Sequence, residues 1–535
     1  MARRSDRAWS SRPLARAIGG LGVVALLAGA WLVLGASPTL SGDQAALARV
    51  NLPPFAGTLE HAAAFAPDGR RVPLTVHGDL LTPRTLLTPG ERVTVDVAIR
   101  RPGWLSWALG RTRHVQLTLR APVVHVREPW LSATAGTPLR IVFNQPVSAV
   151  SPAAGSLRAE LLAPTRRSLT FIPATPAGTT EIAAAARSWE RPGAPITITW
   201  FPRSRSPVLL ASPDPAAPLP PTATLRLTFS QPVSAVLGAS LPTLAPSTPG
   251  LWREADSHTL VFTPSSPAGF PLATTVTVGL PRAVALTSAA GATTEASAID
   301  WSVPAGSTLR LQQLLAEQGY LPVVWSPAGA AVAQTAGAQV SAALDPPAGT
   351  FSWRYPNTPP ELAALWIAGE PNTITRGAVM MFEDDHSLAV DGLAGPEVWR
   401  ALIAAELAGS YHSGYDYVYV HRQVPQSLTL WSDGYVVLRS PGNTGVPAAP
   451  TKLGTFAVYE HVAVGTMRGT NPDGTHYNDP GVRYISYFNG GDALHAFPRA
   501  SYGTPQSLGC VELPLAAAAA LWPHTPVGTL VTIEN

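Results

Sequence analysis

Apolar and polar residues alternate with a period of two along much of this chain, a pattern that predicts β-strands. Residues 92–99 (RVTVDVAI) and 114–119 (HVQLTL) each place every second side chain on one apolar face. Nearer the C-terminus, residues 426–431 and 435–438 flank a Ser-Asp-Gly turn, which is the signature of a hairpin. The pattern therefore predicts a mainly β, multidomain protein.

Two segments have instead the 3.6-residue period of an amphipathic helix. Residues 309–320 (LRLQQLLAEQGY) contain a glycine that favours helix termination, and residues 375–386 (TRGAVMMFEDDH) predict a second helix. A third, short helix is expected at 516–522, because Pro514 suits the start of a helix. We therefore expect a small helical domain followed by a β-rich domain.

The N-terminus has a basic segment followed by a long apolar run. Arginines precede residues 17–36, which are uncharged and, at about 20 residues, long enough to cross a bilayer as a helix. Basic residues ahead of such a run predict a cytoplasmic N-terminus and export of the rest of the chain. A cleaved signal peptide is the alternative for residues 1–40. Either reading places the protein in the cell envelope, at the extracytoplasmic face of the cytoplasmic membrane.

An internal repeat occupies the first half of the exported part. Residues 137–150 (TPLRIVFNQPVSAV) match residues 223–236 (ATLRLTFSQPVSAV), and residues 168–173 match residues 259–264. Two copies of strand, turn and strand suit tandem β-sandwiches. They resemble the Ig-like domains of bacterial surface proteins, which implies a spacer or, alternatively, a ligand-binding or adhesive role.

Composition and charge narrow the function classes. The chain is 46% hydrophobic and 13% charged, which is typical of folded domains. A net charge of +3 with no dense basic patch argues against nucleic acid as a partner. No histidine pair or carboxylate cluster has metal-ligand spacing, so we expect neither a metal nor a cofactor.

The helical segment has a recognisable pattern. A Leu-Gln-Gln-Leu start leads to Gly319-Tyr320, and Ala378-Val379 leads through Phe382 to Val390-Asp391-Gly392 and Trp399. It resembles the three-helix peptidoglycan-binding domain, although Pro-Glu-Val-Trp replaces the usual ending and the insertion between the helices is long. The resemblance implies binding to the cell wall; a purely structural helical domain is the alternative.

The one cysteine of the chain, Cys510, is the main candidate for chemistry. An exported protein with a single cysteine cannot form an internal disulfide, and His495 lies fifteen residues upstream. An imidazole beside a thiol lowers its pKa and holds a thiolate ready, so the two residues are a candidate nucleophile and base. Gly509 leaves room for a substrate beside the thiol and allows unusual backbone angles. A small buried apolar residue is the alternative reading of Cys510.

Residues 415–534 resemble the YkuD-type L,D-transpeptidase catalytic domain. Four parts recur in order: a strand with Gln426 and Leu428, Thr444-Gly445 followed by Pro-Thr-x-x-Gly-x-Phe, a histidine after a strand, and Ser-x-Gly-Cys. The resemblance implies that Cys510 attacks a peptide carbonyl, that His495 is its base, and that the amide of Cys510 binds the oxyanion. It also implies that Ser507 and Gly509 shape the loop, and that the partners are peptidoglycan stem peptides and glycan.

Two positions depart from the family pattern. Leu508 stands where the family usually has histidine, and Glu512 where it usually has arginine or asparagine. The glutamate adds negative charge near the substrate channel. The resemblance implies an L,D-transpeptidase that forms 3→3 cross-links and acts in cell-wall organisation and cell shape. An L,D-carboxypeptidase that uses water as acceptor, or a non-enzymatic wall-binding or adhesion protein with a degenerate domain, are the alternatives.

The patterns predict six segments and a lid. The residues from Thr466 to Asp479, rich in glycine and asparagine, are expected to form a mobile loop over the site. The predicted order is an anchor or signal peptide at 1–40, a β domain at 44–121, Ig-like repeats at 122–202 and 204–304, a peptidoglycan-binding-like domain at 307–406, and the catalytic domain at 415–534.

Overall fold

The computed structural model describes residues 37–134, 136–154, 160–288 and 292–535. Strands predominate over helices, so the predicted mainly β fold is confirmed. The chain divides into two compact units. One holds the residues up to Leu210 together with Thr287–Thr294, and the other holds Ala211–Leu286 and Glu295–Asn535.

The first unit contains three sheets. Its elements are β1 Thr39–Gly42, β2 Ala48–Asn51, β3 Thr58–Phe65, β4 Arg71–Val72, β5 Leu74–His77, β6 Leu80–Pro83, β7 Arg92–Arg100, α1 Gly103–Leu109, β8 Thr112–Arg120, β9 Trp130–Ala133, β10 Leu139–Ala154, β11 Glu160–Phe171, β12 Gly178–Ala185 and β13 Ile196–Pro202. The strand orders are β1-β2-β6-β5, β4-β3-β7-β8 and β11-β10-β12-β13-β9. In β7, the side chains of Val93, Val95, Val97 and Ile99 are buried, as the alternation predicts.

The second unit begins with a sheet of seven strands. Its elements are β14 Val208–Ser212, β15 Leu225–Phe229, α2 Val233–Leu237, β16 Thr243–Ala245, β17 Gly250–Asp256, β18 Thr259–Pro264, β19 Thr275–Thr287 and β20 Thr293–Ser302. The order is β16-β19-β14-β15-β18-β17, with β20 paired to β19. The two repeat copies predicted from sequence therefore lie in β10–β11 and in β15–β18, and their assignment as Ig-like domains stays a prediction.

Five helices and a two-stranded sheet follow. They are α3 Thr308–Glu317, β21 Val323–Pro327, α4 Ala336–Leu344, β22 Gly349–Trp353, α5 Pro360–Ala363, α6 Thr373–Asp385 and α7 Pro396–Ala408. Both helices predicted from periodicity are present, as α3 and α6. The buried amide of Gln312 donates to the carbonyls of Ile367 and Glu370 and to the hydroxyl of Thr375, so it joins α3 to the start of α6.

The C-terminal part has two sheets that pack face to face. Its elements are β23 Asp416–His421, β24 Ser427–Ser432, β25 Tyr435–Pro441, β26 Gly454–Ala457, β27 Glu460–Thr470, β28 His476–Asn489, β29 Asp492–Ala496, β30 Val511–Leu513, α8 Leu515–Leu521, a 3-10 turn at Trp522–His524, and β31 Leu530–Glu534. The orders are β25-β24-β23-β31-β26 and β27-β28-β29-β30. Their shared core includes Val418, Leu428, Leu494, Val511 and Val531.

The predicted lid is a β-hairpin rather than a loop. Strands β27 and β28 pair from Glu460 opposite Tyr487 to Thr470 opposite His476, so the expectation of an irregular segment at 466–479 is wrong. The glycines and asparagines that suggested a loop are accommodated in two ways. Asn471 and Gly474 lie in the turn between the strands, whereas Gly469 and Asn478 pair within the strands.

The helical segment and the C-terminal sheets share one apolar core. Tyr417, Trp431 and Leu530 belong to the same buried cluster as residues of α3, α6 and α7. Two glycines allow the backbones to meet: a Cβ at Gly377 would lie 2.6 Å from the carbonyl oxygen of Gly528, and one at Gly528 would lie 2.5 Å from that of Gly377. The helices are therefore packed directly on the domain that carries the candidate site.

The membrane anchor predicted at the N-terminus lies outside the described residues, apart from the last four positions of the 1–40 segment. Within the described part of the chain, no helix combines the length and apolar character needed to cross a bilayer. The anchor stays a prediction from sequence.

Candidate active site

Cys510 and His495 lie on the same face of the second sheet. Strands β29 and β30 are parallel, with Leu494 opposite Val511 and His495 opposite Glu512, so Cys510 falls level with Ala493. Side chains alternate across a strand, and Leu494 and Val511 point into the core between the two sheets. Cys510 packs instead beside Ala493, on the opposite face.

The register also sets the distance between the two residues. With strands about 4.8 Å apart and a rise of about 3.3 Å per residue, two positions diagonal by two residues have Cα atoms about 8 Å apart. The register therefore places the two residues that the sequence singled out as nucleophile and base on one face of the sheet, on neighbouring chain segments.

His495 is held in a defined tautomer. Its Nδ1 lies 3.0 Å from the carbonyl oxygen of Ala496, and because a carbonyl only accepts, Nδ1 must carry the proton. The lone pair is therefore on Nε2. The side chain is almost fully buried, and burial lowers the pKa of His495 below its ordinary value of 6.5. A neutral imidazole with a free Nε2 is the form that accepts a proton.

The surroundings of the Cys510 thiol favour its protonated form. It donates to the carbonyl of Gly491, at 3.7 Å, and packs against a small apolar cluster with Tyr477 and Tyr487. Burial raises the pKa of the Cys510 thiol to about 12; a backbone hydrogen bond opposes this rise, and the carboxylates of Asp492 and Glu512 contribute to it. The charged groups that act on the pKa of this thiol are anions, and the expectation of a thiolate held ready by imidazole stays a prediction.

Gly509 is required for a different reason from the one expected. Its φ of +122° lies where glycine is favoured, as anticipated. The space beside it, however, is taken by protein: a Cβ at this position would lie 2.1 Å from Oδ1 of Asp492. The glycine therefore makes room for a half-buried carboxylate that also accepts a hydrogen bond from Asn489, rather than for a substrate.

Ser507 fixes the loop that carries the cysteine. Its hydroxyl donates to the carbonyl of Cys510 at 2.5 Å and accepts from the amide of Gly509 at 3.3 Å. Its own amide donates to the carbonyl of Thr444, and its carbonyl accepts from the amide of Val446. The loop is thus tied both to itself and to the segment that contains Thr444.

The other motif residues brace that segment. The side chain of Gln426 accepts from the amide of Thr444 at 2.7 Å, and the hydroxyl of Thr451 accepts from the amide of Gly445 at 2.8 Å. Asn443 exchanges backbone hydrogen bonds with Glu512, and its side chain accepts from the amide of Gly503 at 2.9 Å. The Gln and Thr-Gly parts of the motif therefore position the cysteine loop through the backbone.

Glu512 is neutralised by a partner that the sequence reading missed. Arg499 binds its carboxylate through two parallel hydrogen bonds, from Nε at 2.8 Å and from Nη2 at 2.7 Å. The guanidinium also lies 4.7 Å from the ring centre of Phe497. The negative charge at position 512 is therefore paired rather than free in the channel. Leu508, the other departure, is half-buried.

A cleft of about 640 Å³ lies beside the segment that directly follows His495. Its lining includes residues 479–483 of the β27–β28 hairpin and Ala496–Arg499. Asp479 and Arg483 form no ion pair within the described residues, so both charges face the cleft unpaired. Asp479 and Arg499 both act on the pKa of His495, which places this mixed-charge cleft close to the imidazole.

Two further histidines take structural positions. His461 stacks on Trp522 at 4.1 Å between ring centres, and His476 contacts the hydroxyl of Thr470 near the tip of the hairpin. Throughout the described ranges, no three His, Cys, Asp or Glu side chains are arranged to hold a metal ion. Asp492 and Arg499 are the site residues that sequence reasoning missed. Arg499 could have been identified from the sequence, because it is a nearby cation that could pair with the carboxylate of Glu512.

Comparison with known proteins gives a family for the C-terminal part. Residues 416–533 match the model of the YkuD family, described as the L,D-transpeptidase catalytic domain. A search of curated proteins finds no significant relative. The β-rich domain that contains Cys510 and His495 is therefore an L,D-transpeptidase catalytic domain by family.

Three solved structures illustrate the similarity. The NMR structure of the catalytic domain from the Enterococcus faecium L,D-transpeptidase is 29% identical, and the match covers 23% of this chain and 98% of that one, with a TM-score of 0.21. An L,D-transpeptidase from Mycobacterium smegmatis is 13% identical over 61% of this chain and 99% of its own, also at 0.21. L,D-transpeptidase 3 from Mycobacterium tuberculosis is 11% identical, with 61% and 97% covered and a TM-score of 0.21.

Proposed function

We propose that this protein is a peptidoglycan L,D-transpeptidase of the cell envelope, which forms 3→3 cross-links through an acyl-enzyme on Cys510. The observation that carries the proposal is the placement of Cys510 and His495 on one sheet face, within the segment that matches the L,D-transpeptidase catalytic domain. The hydrogen bond from Nδ1 of His495 to a carbonyl supports the role of Nε2 as base. The upstream modules serve to bind the wall and to set the distance from the membrane.

In the first step, a stem tetrapeptide acylates the enzyme. Because both groups are neutral at rest, Nε2 of His495 takes the thiol proton as sulfur attacks the carbonyl of the L-residue at position three. The carbon–nitrogen bond to the terminal D-alanine then breaks, and the imidazolium returns the proton to the leaving amine. A thioester on Cys510 and free D-alanine result. The amide of Cys510, presented by the loop that Ser507 fixes, donates to the oxyanion.

In the second step, an amine of a neighbouring stem peptide resolves the thioester. The amine must lose a proton as it attacks, so it has to approach within reach of His495. The mixed-charge cleft beside the imidazole suits such an acceptor, since Asp479 attracts an ammonium group and Arg483 a carboxylate. The carbon–sulfur bond breaks, the sulfur recovers its proton from the imidazolium, and a new amide remains as the cross-link.

The test is incubation of the full-length chain with purified muropeptides, followed by mass analysis of the products. We expect a cross-linked dimer with release of D-alanine, and a covalent adduct of a carbapenem on the intact protein. Cys510→Ala is expected to abolish both, with a loss greater than about 10³-fold. Wild-type protein that forms no adduct, together with normal cross-linking by the alanine variant, would sink the proposal.

The products also distinguish the alternative functions from one another. A tetrapeptide converted to tripeptide without any dimer would identify water as the acceptor and an L,D-carboxypeptidase. Muropeptides that bind without being altered would identify a non-enzymatic wall-binding protein. His461→Gln is a suitable control, because His461 stacks on Trp522 and its Nε2 lies 3.0 Å from the carbonyl oxygen of that residue.

A further inference from the structure

The tip of the β7–β8 hairpin carries an apolar surface open to solvent. Helix α1 joins the two strands there, and Trp107 is 85% exposed, Trp104 53% and Leu109 52%. By contrast, Trp301 and Trp399 in the second unit are completely buried. Large apolar side chains exposed together on a short helix mark a surface that meets a partner.

Arginines surround this apolar tip. Arg100 and Arg101 precede α1, and Arg111 and Arg113 follow it. Within the described residues, the ion pair made by this group is that of Arg100 with Glu60, at 2.8 Å, so the tip keeps a positive charge. Indole rings prefer the boundary between lipid and water, and guanidinium groups bind phosphate headgroups. The combination fits an anionic bilayer surface.

The residue that directly follows the predicted membrane span lies beside the same tip. The apolar run stops at Ala36, and the hydroxyl of the next residue, Ser37, accepts from the guanidinium of Arg113 at 3.3 Å. Arg113 is the second residue of β8, at the end of the strand that adjoins α1. A chain that leaves the bilayer at Ser37 therefore has the exposed tryptophans within reach of that bilayer.

We propose that this tip inserts into the headgroup region of the outer leaflet of the cytoplasmic membrane, with anionic lipid as its partner. The residues of the Trp tip are Trp104, Trp107 and Leu109 with Arg100, Arg101, Arg111 and Arg113. A second point of contact next to a single span fixes the orientation of the first unit on the membrane, because the second binding event is intramolecular. This inference concerns the unit that does not contain Cys510 and is independent of the reaction there.

The test places a fluorophore on the tip of the full-length chain. Ser106→Cys puts the label on α1 between the two tryptophans, and Thr118→Cys puts it six residues along β8 from Thr112, about 20 Å away. Both variants carry Cys510→Ala, so that each chain has one labelling site. The chains are incorporated into phosphatidylglycerol-containing vesicles with and without a lipid-borne quencher. We expect quenching at Ser106 to be at least about threefold stronger than at Thr118.

Paired substitutions then test the chemistry of the contact. Trp104→Ser with Trp107→Ser is expected to bring quenching at Ser106 down to the level at Thr118, whereas Leu161→Ser, at another exposed apolar residue of the same unit, should leave it unchanged. Replacing phosphatidylglycerol by phosphatidylcholine should weaken quenching at Ser106. Four results would overturn the proposal: chains that do not float with vesicles, equal quenching at both sites, quenching that survives the double substitution, and protection of the label by a second copy in the absence of lipid.

Discussion

Strands β29 and β30 are buried on both faces, but one face is apolar and the other is polar. On one face Leu494, Ala496, Val511 and Leu513 pack into the core between the two sheets. On the other face His495 and Glu512 are just as inaccessible, yet they are polar. These six residues thus alternate between a face that packs into the apolar core and a face that holds the candidate base.

The difference shows what each face requires. Apolar packing needs only volume and shape, so close variants are tolerated. A buried polar group must be hydrogen-bonded or paired, because an unsatisfied one costs about 1–3 kcal/mol. His495 meets that requirement through the carbonyl of Ala496, and Glu512 meets it through Arg499. Substitutions on the two faces should therefore separate activity from stability.

His495→Gln tests the polar face most directly. We expect it to have the largest effect on the acylation rate among the substitutions compared. Glutamine has no basic nitrogen, so on the proposed mechanism the acylation rate falls about 10²- to 10⁴-fold. The rate of carbapenem adduct formation, followed by intact-protein mass spectrometry, measures this loss. The same substitution at His461 should leave the rate near that of the wild type. A His495→Gln rate equal to wild type would remove this residue from the mechanism.

Leu513→Ala is the matching change on the apolar face. Leu513 is completely buried, so truncation leaves a cavity and costs about 2–5 kcal/mol in the free energy of unfolding. Because a chain of several domains does not unfold in one step, the loss is best measured locally, by hydrogen exchange of the β29 and β30 amides. The acylation rate of the folded protein should stay near wild type. A large loss of activity with unchanged exchange would mean that the faces are not separable.

The apolar face was predictable from sequence because alternation is a local property. The pattern in residues 92–99 anticipated the buried positions of β7 in the same way. Cys510 and His495 were found by motif spacing, which holds because they sit on neighbouring strands in fixed register. The contribution of Asp492 could not be found, since its closeness to Gly509 depends on how the turn before β29 meets the cysteine loop.

The internal repeat also shows a limit on what sequence similarity predicts about structure, here over a longer segment. The sequence Pro-Val-Ser-Ala-Val continues strand β10 in the first copy, but forms helix α2 in the second. The equivalent residue just beyond it is Pro152 in the first copy and Gly238, with φ +66°, in the second. Proline disfavours helix in the residue before it, whereas glycine readily ends one. This one residue therefore accounts for the different structures of the two copies. A comparison of the copies by sequence similarity does not draw attention to it.

The pH dependence of acylation is the most subtle test of the polar face. Burial lowers the pKa of His495 below 6.5, and the protonated imidazole has no lone pair on Nε2, so kcat/KM should fall as the pH drops through a midpoint below 6.5. The pKa of the Cys510 thiol, at about 12, means that no rise from thiolate formation is expected between about pH 7 and pH 9. Adduct formation measured from about pH 5 to pH 9 gives the profile. A midpoint above 6.5, or a rate that climbs tenfold per pH unit above neutrality, would show that a thiolate, rather than a buried neutral pair, is the reacting state.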